Sequence, residues 1–162
     1  MNIFILDTDI HTCAQYHCDQ HVVKMILESA QLLCTAHWMS GSEAPYKKTH
    51  INHPSNVWVR KSVSNYKWLC ELGMELCKEY TYRYGKIHAT ARLIPDLARV
   101  PDNCPVGSFT GPIPAMPDEC KVPGDSLTSY HRYYATKKEH LWSWKGKINS
   151  REQPKWLTEM LK

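Results

Sequence analysis

The sequence predicts a mainly α protein: a compact single-domain helical fold with long helices, a short N-terminal arm and an extended Pro-rich wrap. Three observations carry this. Residues 12–38 contain neither Gly nor Pro and repeat apolar side chains at helical spacing. Residues 56–84 also repeat apolar side chains at helical spacing along one face and stop at Gly85. Residues 93–125 hold seven prolines and three glycines, which no helix tolerates. A length of 162 residues suits one domain with a core of ordinary size.

The elements follow in order. Met1–Leu6 is a short apolar run that reads as a strand or a buried N-terminal arm, ended by Asp7-Thr8-Asp9. Thr8 or Asp9 can cap the helix that follows. On the wheel of residues 12–38, Cys18, Val22, Met25, Ile26, Ala30 and Leu33 belong to a broad apolar arc. His17, His21, Lys24, Glu28 and Gln31 collect in a stripe only about 80° wide at 100° per residue. Most of that helix must therefore be covered by protein. Residues 39–53 form a loop, and Pro54 sits where a helix can start. Ser62 and Asn65 fall at the apolar face of the second helix or its edge, where they need hydrogen-bond partners. Leu93, Ile94, Phe109, Ile113 and Met116 give the Pro-rich stretch something to bury, so an ordered wrap is expected. A third helix is expected over Leu127–Trp144.

Composition narrows the function classes. No stretch approaches the roughly 20 apolar residues of a membrane span. Ile3–Leu6 is too short for a signal-peptide core. The expectation is a cytoplasmic, monomeric protein without a membrane partner. The seven cysteines include no CxxC pair and read as reduced core residues. Residues 128–162 hold eight basic and three acidic residues, a local +5 in a chain of +4. The same stretch carries three tyrosines and three tryptophans, a mixture suited to a C-terminal helix with its aromatics in the core and its lysines in water or, alternatively, to phosphate contact and base stacking.

The stripe is where chemistry is expected. His17, His21, Lys24 and Glu28 stand at i, i+4, i+7 and i+11, on one line of one face. Glu is a general acid/base or an electrostatic stabiliser when partly buried. Lys forms Schiff bases or binds phosphate. His17 and His21 could also share a metal completed by Glu28, His50 or His53, although no HExxH motif is present. Four readings stay open on the residues alone: a solvated stripe with a Lys24–Glu28 ion pair, the carboxylate–amine stripe of an enzyme, a metal-dependent hydrolase acting on nucleotides or modified bases, and a non-catalytic nucleic-acid-binding protein.

Asp19-Gln20-His21, with Glu28 nine positions after the Asp, resembles the phage pyrimidine-dimer DNA glycosylases of the endonuclease V type. The helix from Asn56 to Tyr84, the Pro-containing wrap, and Tyr130-His131-Arg132-Tyr133-Tyr134 followed by Lys137 and Lys138 resemble that family in order. The chain is similar to a distant member over most of its length. The resemblance implies one glycosylase-like domain over 1–162, with 93–125 as its wrap and 128–162 as a basic and aromatic C-terminal region. It implies an enzyme that binds damaged double-stranded DNA, flips a base and cleaves the glycosidic bond of a dimer's 5′ pyrimidine. The strand is then cut by β-elimination through an imine, with no metal or cofactor. By the same carry-over Glu28 is the catalytic carboxylate and the α-amine of Met1 the nucleophile, with Lys24 as substitute and His21 beside them. His17, Arg132, Tyr133, Tyr134, Lys137 and Lys138 are the expected DNA contacts. α-Amines ordinarily titrate near 8, roughly two units below lysine, which suits imine chemistry at neutral pH. Family members expose a small residue by losing the initiator Met, whereas residue 2 here is Asn, the retained-Met pattern. A changed substrate, such as a hypermodified base or free nucleotide, would recruit His50, His53, Ser62 or Asn65.

Overall fold

The computed structural model describes all of residues 1–162. It contains six α-helices and no strand. The helices are α1 (Ile10–Tyr16), α2 (Asp19–Met39), α3 (Pro54–Val59), α4 (Val63–Tyr84), α5 (Ser126–Lys137) and α6 (Lys155–Met160). α2 and α4 pack along each other, α1 also lies on α4, and α6 packs on α5. One apolar core runs through all of them.

The N-terminal segment is a buried arm, not a strand. Ile3, Phe4, Ile5 and Leu6 are all buried, each side chain contributing roughly 1.5–3 kcal/mol. Asp9 caps α1 by accepting from Thr12 N at 2.9 Å.

The first long helix is in fact two. α1 ends at Tyr16, His17 and Cys18 take extended backbone, and α2 begins at Asp19. A break strands backbone carbonyls that need partners. Arg83 of α4 donates to Gln15 O and His17 O, both at 2.8 Å, and Trp144 Nε1 donates to Tyr16 O at 2.9 Å. Distant side chains therefore sustain the interruption.

The second helix is also divided. α3 spans only Pro54–Val59, with Pro54 in its first turn, and α4 restarts after the Ser62 cap. Ser62 Oγ accepts from Asn65 N, while Asn65 Nδ2 donates to Trp58 O at 3.0 Å. The two polar residues on the apolar face are thus the joint between the helices. Gly85 closes α4 at φ 69°, a left-handed value that favours glycine.

The Pro-rich segment is ordered and carries two single 3-10 turns, at Asp96–Ala98 and Asp118–Cys120. Thr110 N donates to Asn65 Oδ1, and Trp58 Nε1 donates to Thr110 O. The wrap is thereby laced to the α3–α4 joint. α5 stops at Lys137, shorter than expected; a 3-10 turn at Glu139–Leu141 follows, and Trp142 and Trp144 lie beyond it, outside any helix. All seven cysteines are free, five of them buried.

Candidate active site

The arm carries the chain terminus to the middle of α2. The Met1 amine lies 3.5 Å from Glu28 Oε1, and Lys24 Nζ, one helical turn away, lies 3.6 Å from Glu28 Oε2. Glu28 is only 7% exposed and its Oε2 has no hydrogen-bond donor in the protein. A buried carboxylate is held between two cations with one lone-pair face unspent. The Lys24 side chain is 68% exposed, so it lacks the burial expected of a lysine nucleophile.

Around this pair is a cleft of about 290 Å³, walled by Met1, Asn2, Phe4, His21, Lys24, Met25, Glu28, His53, Ala115, Tyr133 and Lys138. Three elements distant in sequence meet here: the arm, α2 and the start of α3. α5 and the wrap close the remaining sides. Asn2 anchors the arm beside the amine: its Nδ2 donates to Ala115 O at 2.9 Å, and its Oδ1 lies 2.7 Å from the Tyr130 hydroxyl. Lys138 Nζ sits 4.8 Å from the centre of the Tyr133 ring, a cation–π contact at the rim.

His21 is a wall of the cleft and not a free base. Its ring stacks on Phe4 at 4.4 Å, and its Nδ1 lies 2.5 Å from the Tyr134 hydroxyl. Burial, reinforced by the charges of His17, Lys138 and Lys24, pushes its pKa down to about 3. The imidazole is therefore neutral at physiological pH.

The DNA contacts expected from sequence separate into two groups. His17 and Tyr134 are interior residues, which corrects the surface role expected of them. His17 is not on α2 at all; its Nδ1 lies 2.7 Å from Cys13 O, and burial holds its pKa at about 4. Tyr134 is fully buried with its hydroxyl against Cys18 and His21, and burial raises its pKa well above the ordinary phenol value. Tyr133 and Lys138 reach the cleft. Arg132 is exposed on α5 away from the cleft walls, and Lys137 is exposed and paired with Glu119.

His53, Asn2 and Ala115 enter the cleft without any spacing that would have placed them beside Glu28. No three His, Cys, Asp or Glu side chains converge on one point, so His17, His21, Glu28, His50 and His53 do not assemble the donor set that a metal site requires. No helix is long and apolar enough to cross a membrane.

The fold and cleft together define a small all-helical protein with an amine–carboxylate site. Residues 1–93, which carry the arm, α1 to α4, Lys24, Glu28 and His53, match the family model described as pyrimidine dimer DNA glycosylase. The chain belongs to that family, a family of DNA glycosylases, and DNA is its class of substrate. Comparison with curated proteins and with solved structures returns no match.

Proposed function

We propose that this protein removes a damaged or modified pyrimidine, such as a pyrimidine dimer, from double-stranded DNA through an imine and then cuts the strand as an AP lyase. The observation that carries the reading is the 3.5 Å approach of the Met1 amine to the buried Glu28 carboxylate, both residues lying in the family-matched part of the chain.

The steps balance as follows. The neutral Met1 nitrogen bonds to C1′ while the C1′–N glycosidic bond breaks, and the base leaves with that electron pair and takes a proton. The nitrogen gives up a proton, its lone pair then breaks the C1′–O4′ bond, O4′ leaves with the electron pair and takes a proton, and a protonated imine remains. Loss of a C2′ proton then expels the 3′ phosphate by β-elimination. Glu28 accepts protons from the attacking nitrogen and stabilises the cationic imine, a task suited to a carboxylate withdrawn from water. Lys24 balances Glu28 and meets phosphate, as do Lys138, Arg132 and Lys137. Tyr133 offers an aromatic face for an extruded base, whose flipping costs least at damaged, poorly stacked sites. His21, neutral and packed on Phe4, supports the floor. No cofactor takes part, and the protein acts as a monomer.

A borohydride trap tests the reading. The protein is incubated with UV-irradiated or untreated duplex DNA in EDTA, and adducts are mapped by mass. The expected result is an adduct on irradiated DNA alone, attached to the Met1 amine. An adduct on Lys24 refutes the assigned nucleophile. No adduct together with no strand cleavage refutes the glycosylase–lyase mechanism.

A further inference from the structure

Two histidines in this chain form the same local turn. His88 Nδ1 accepts from Thr90 N at 3.1 Å, and its Nε2 donates to Val23 O at 3.0 Å. A ring nitrogen that accepts from a backbone N–H carries no proton, so the ring proton resides on the other nitrogen. The Val23 carbonyl facing Nε2 agrees with that tautomer. His53 repeats the first half of this arrangement: its Nδ1 accepts from Ser55 N at 3.1 Å and caps α3. Its Nε2 has no partner in the protein, and the ring forms part of the cleft wall with Met1 and Glu28.

The surroundings keep this ring neutral. A second proton would have to go on Nδ1, where it would oppose the Ser55 N–H. Burial, the Met1 amine and His50 all disfavour the imidazolium, against a smaller opposing effect of Glu28. Pro54 restricts the His53 backbone to the extended conformation it adopts, φ −62° and ψ 140°, so the ring has a fixed base.

We infer that His53 is a substrate-binding residue: a neutral imidazole locked as the Nε2–H tautomer, donating to a non-bridging phosphate oxygen of the nucleotide whose sugar the amine attacks. This rests on the amine–carboxylate reading above and adds to it the group that registers the backbone against the amine. An anionic oxygen is a strong acceptor, and a donor held by a helix cap needs no reorientation. A lysine in the same place would compete with the amine for Glu28 and would release counterions on binding. A neutral donor does neither.

The test separates the cap from the donor. His53→Ser keeps a good N-cap acceptor but deletes Nε2–H, and His53→Gln restores an amide N–H. On irradiated duplex DNA, His53→Ser is expected to lower the single-turnover cleavage rate about ten- to hundredfold. Its melting temperature should stay within about 2 °C of wild type. The salt dependence of DNA affinity should keep its slope, and His53→Gln should recover part of the rate. Wild-type cleavage by His53→Ser overturns the donor role alone. A wild-type protein inert on every duplex fails together with its variants, a different signature, and overturns both readings. Ring-nitrogen NMR is independent of turnover: a proton on Nδ1 instead of Nε2 overturns the assignment directly.

Discussion

Glu28→Gln removes one charge while keeping shape and volume. In the folded protein that carboxylate faces the Met1 amine at 3.5 Å and Lys24 at 3.6 Å, and it is almost fully buried. Its two roles in the proposed chemistry are proton acceptance and stabilisation of a cationic intermediate. Positioned acid–base groups contribute about 100- to 10,000-fold, or roughly 3–5 kcal/mol of barrier. The single-turnover cleavage rate should therefore fall by at least about 100-fold. Affinity moves in the other direction: the amide repels no phosphate and frees Lys24 to meet one, so binding should hold or tighten. Fluorescence anisotropy gives the affinity, a gel assay the cleavage rate and the borohydride trap the imine, with thermal denaturation as the control for folding. Cleavage within about tenfold of wild type would refute the role given to Glu28. Loss of binding in parallel with cleavage would instead point to a scaffold function for the carboxylate.

Two further predictions concern the frame that holds the site. Arg83→Met removes a fully buried guanidinium that serves Glu79, Asp19 and the carbonyls of Gln15 and His17. Breaking such a network costs about 3–5 kcal/mol, which lowers the melting temperature by about 6–20 °C; a drop of under about 3 °C would refute the account of the α1–α2 break. His17 and His21 have pKa values held at about 4 and about 3 in the folded chain, below the ordinary 6.5. Below pH 6.5 the unfolded chain takes up protons that the folded chain refuses, so stability is full above that value and falls as the pH drops. Each histidine should withdraw about 2 kcal/mol by roughly pH 5. Urea midpoints that stay level between about pH 7 and pH 5 would refute it.

The helical class, the Asp9 cap, the Pro54 start and the Gly85 stop were legible because each depends on residues close in sequence. So was the need of Ser62 and Asn65 for partners, since polar groups on an apolar face require them. The interruptions within the long helices were not legible. Nothing local breaks the chain at His17: residues 12–38 hold neither Gly nor Pro. The break persists because Arg83 and Trp144, remote in sequence, take the freed carbonyls. This also explains why His17 left the stripe. Extending one helical phase across the interruption put it in line with Lys24 and Glu28, whereas the real chain turns it into the core.

The sequence by itself determined that Lys24 and Glu28 share a face one turn apart, and that a basic, aromatic segment follows the wrap. Helical periodicity fixes such relations without reference to anything distant. Only the tertiary structure decided which groups meet them. The arm lies against α2 because Ile3 to Leu6 must be buried, with Phe4 on His21, and Asn2 stops it against Ala115 with the amine at Glu28. His53 and Lys138 then arrive from separate elements, and Tyr134 turns inward although its neighbour Tyr133 reaches the cleft. These are meetings between residues far apart along the chain, set by how apolar faces pack and how buried polar groups find partners, which no local pattern encodes.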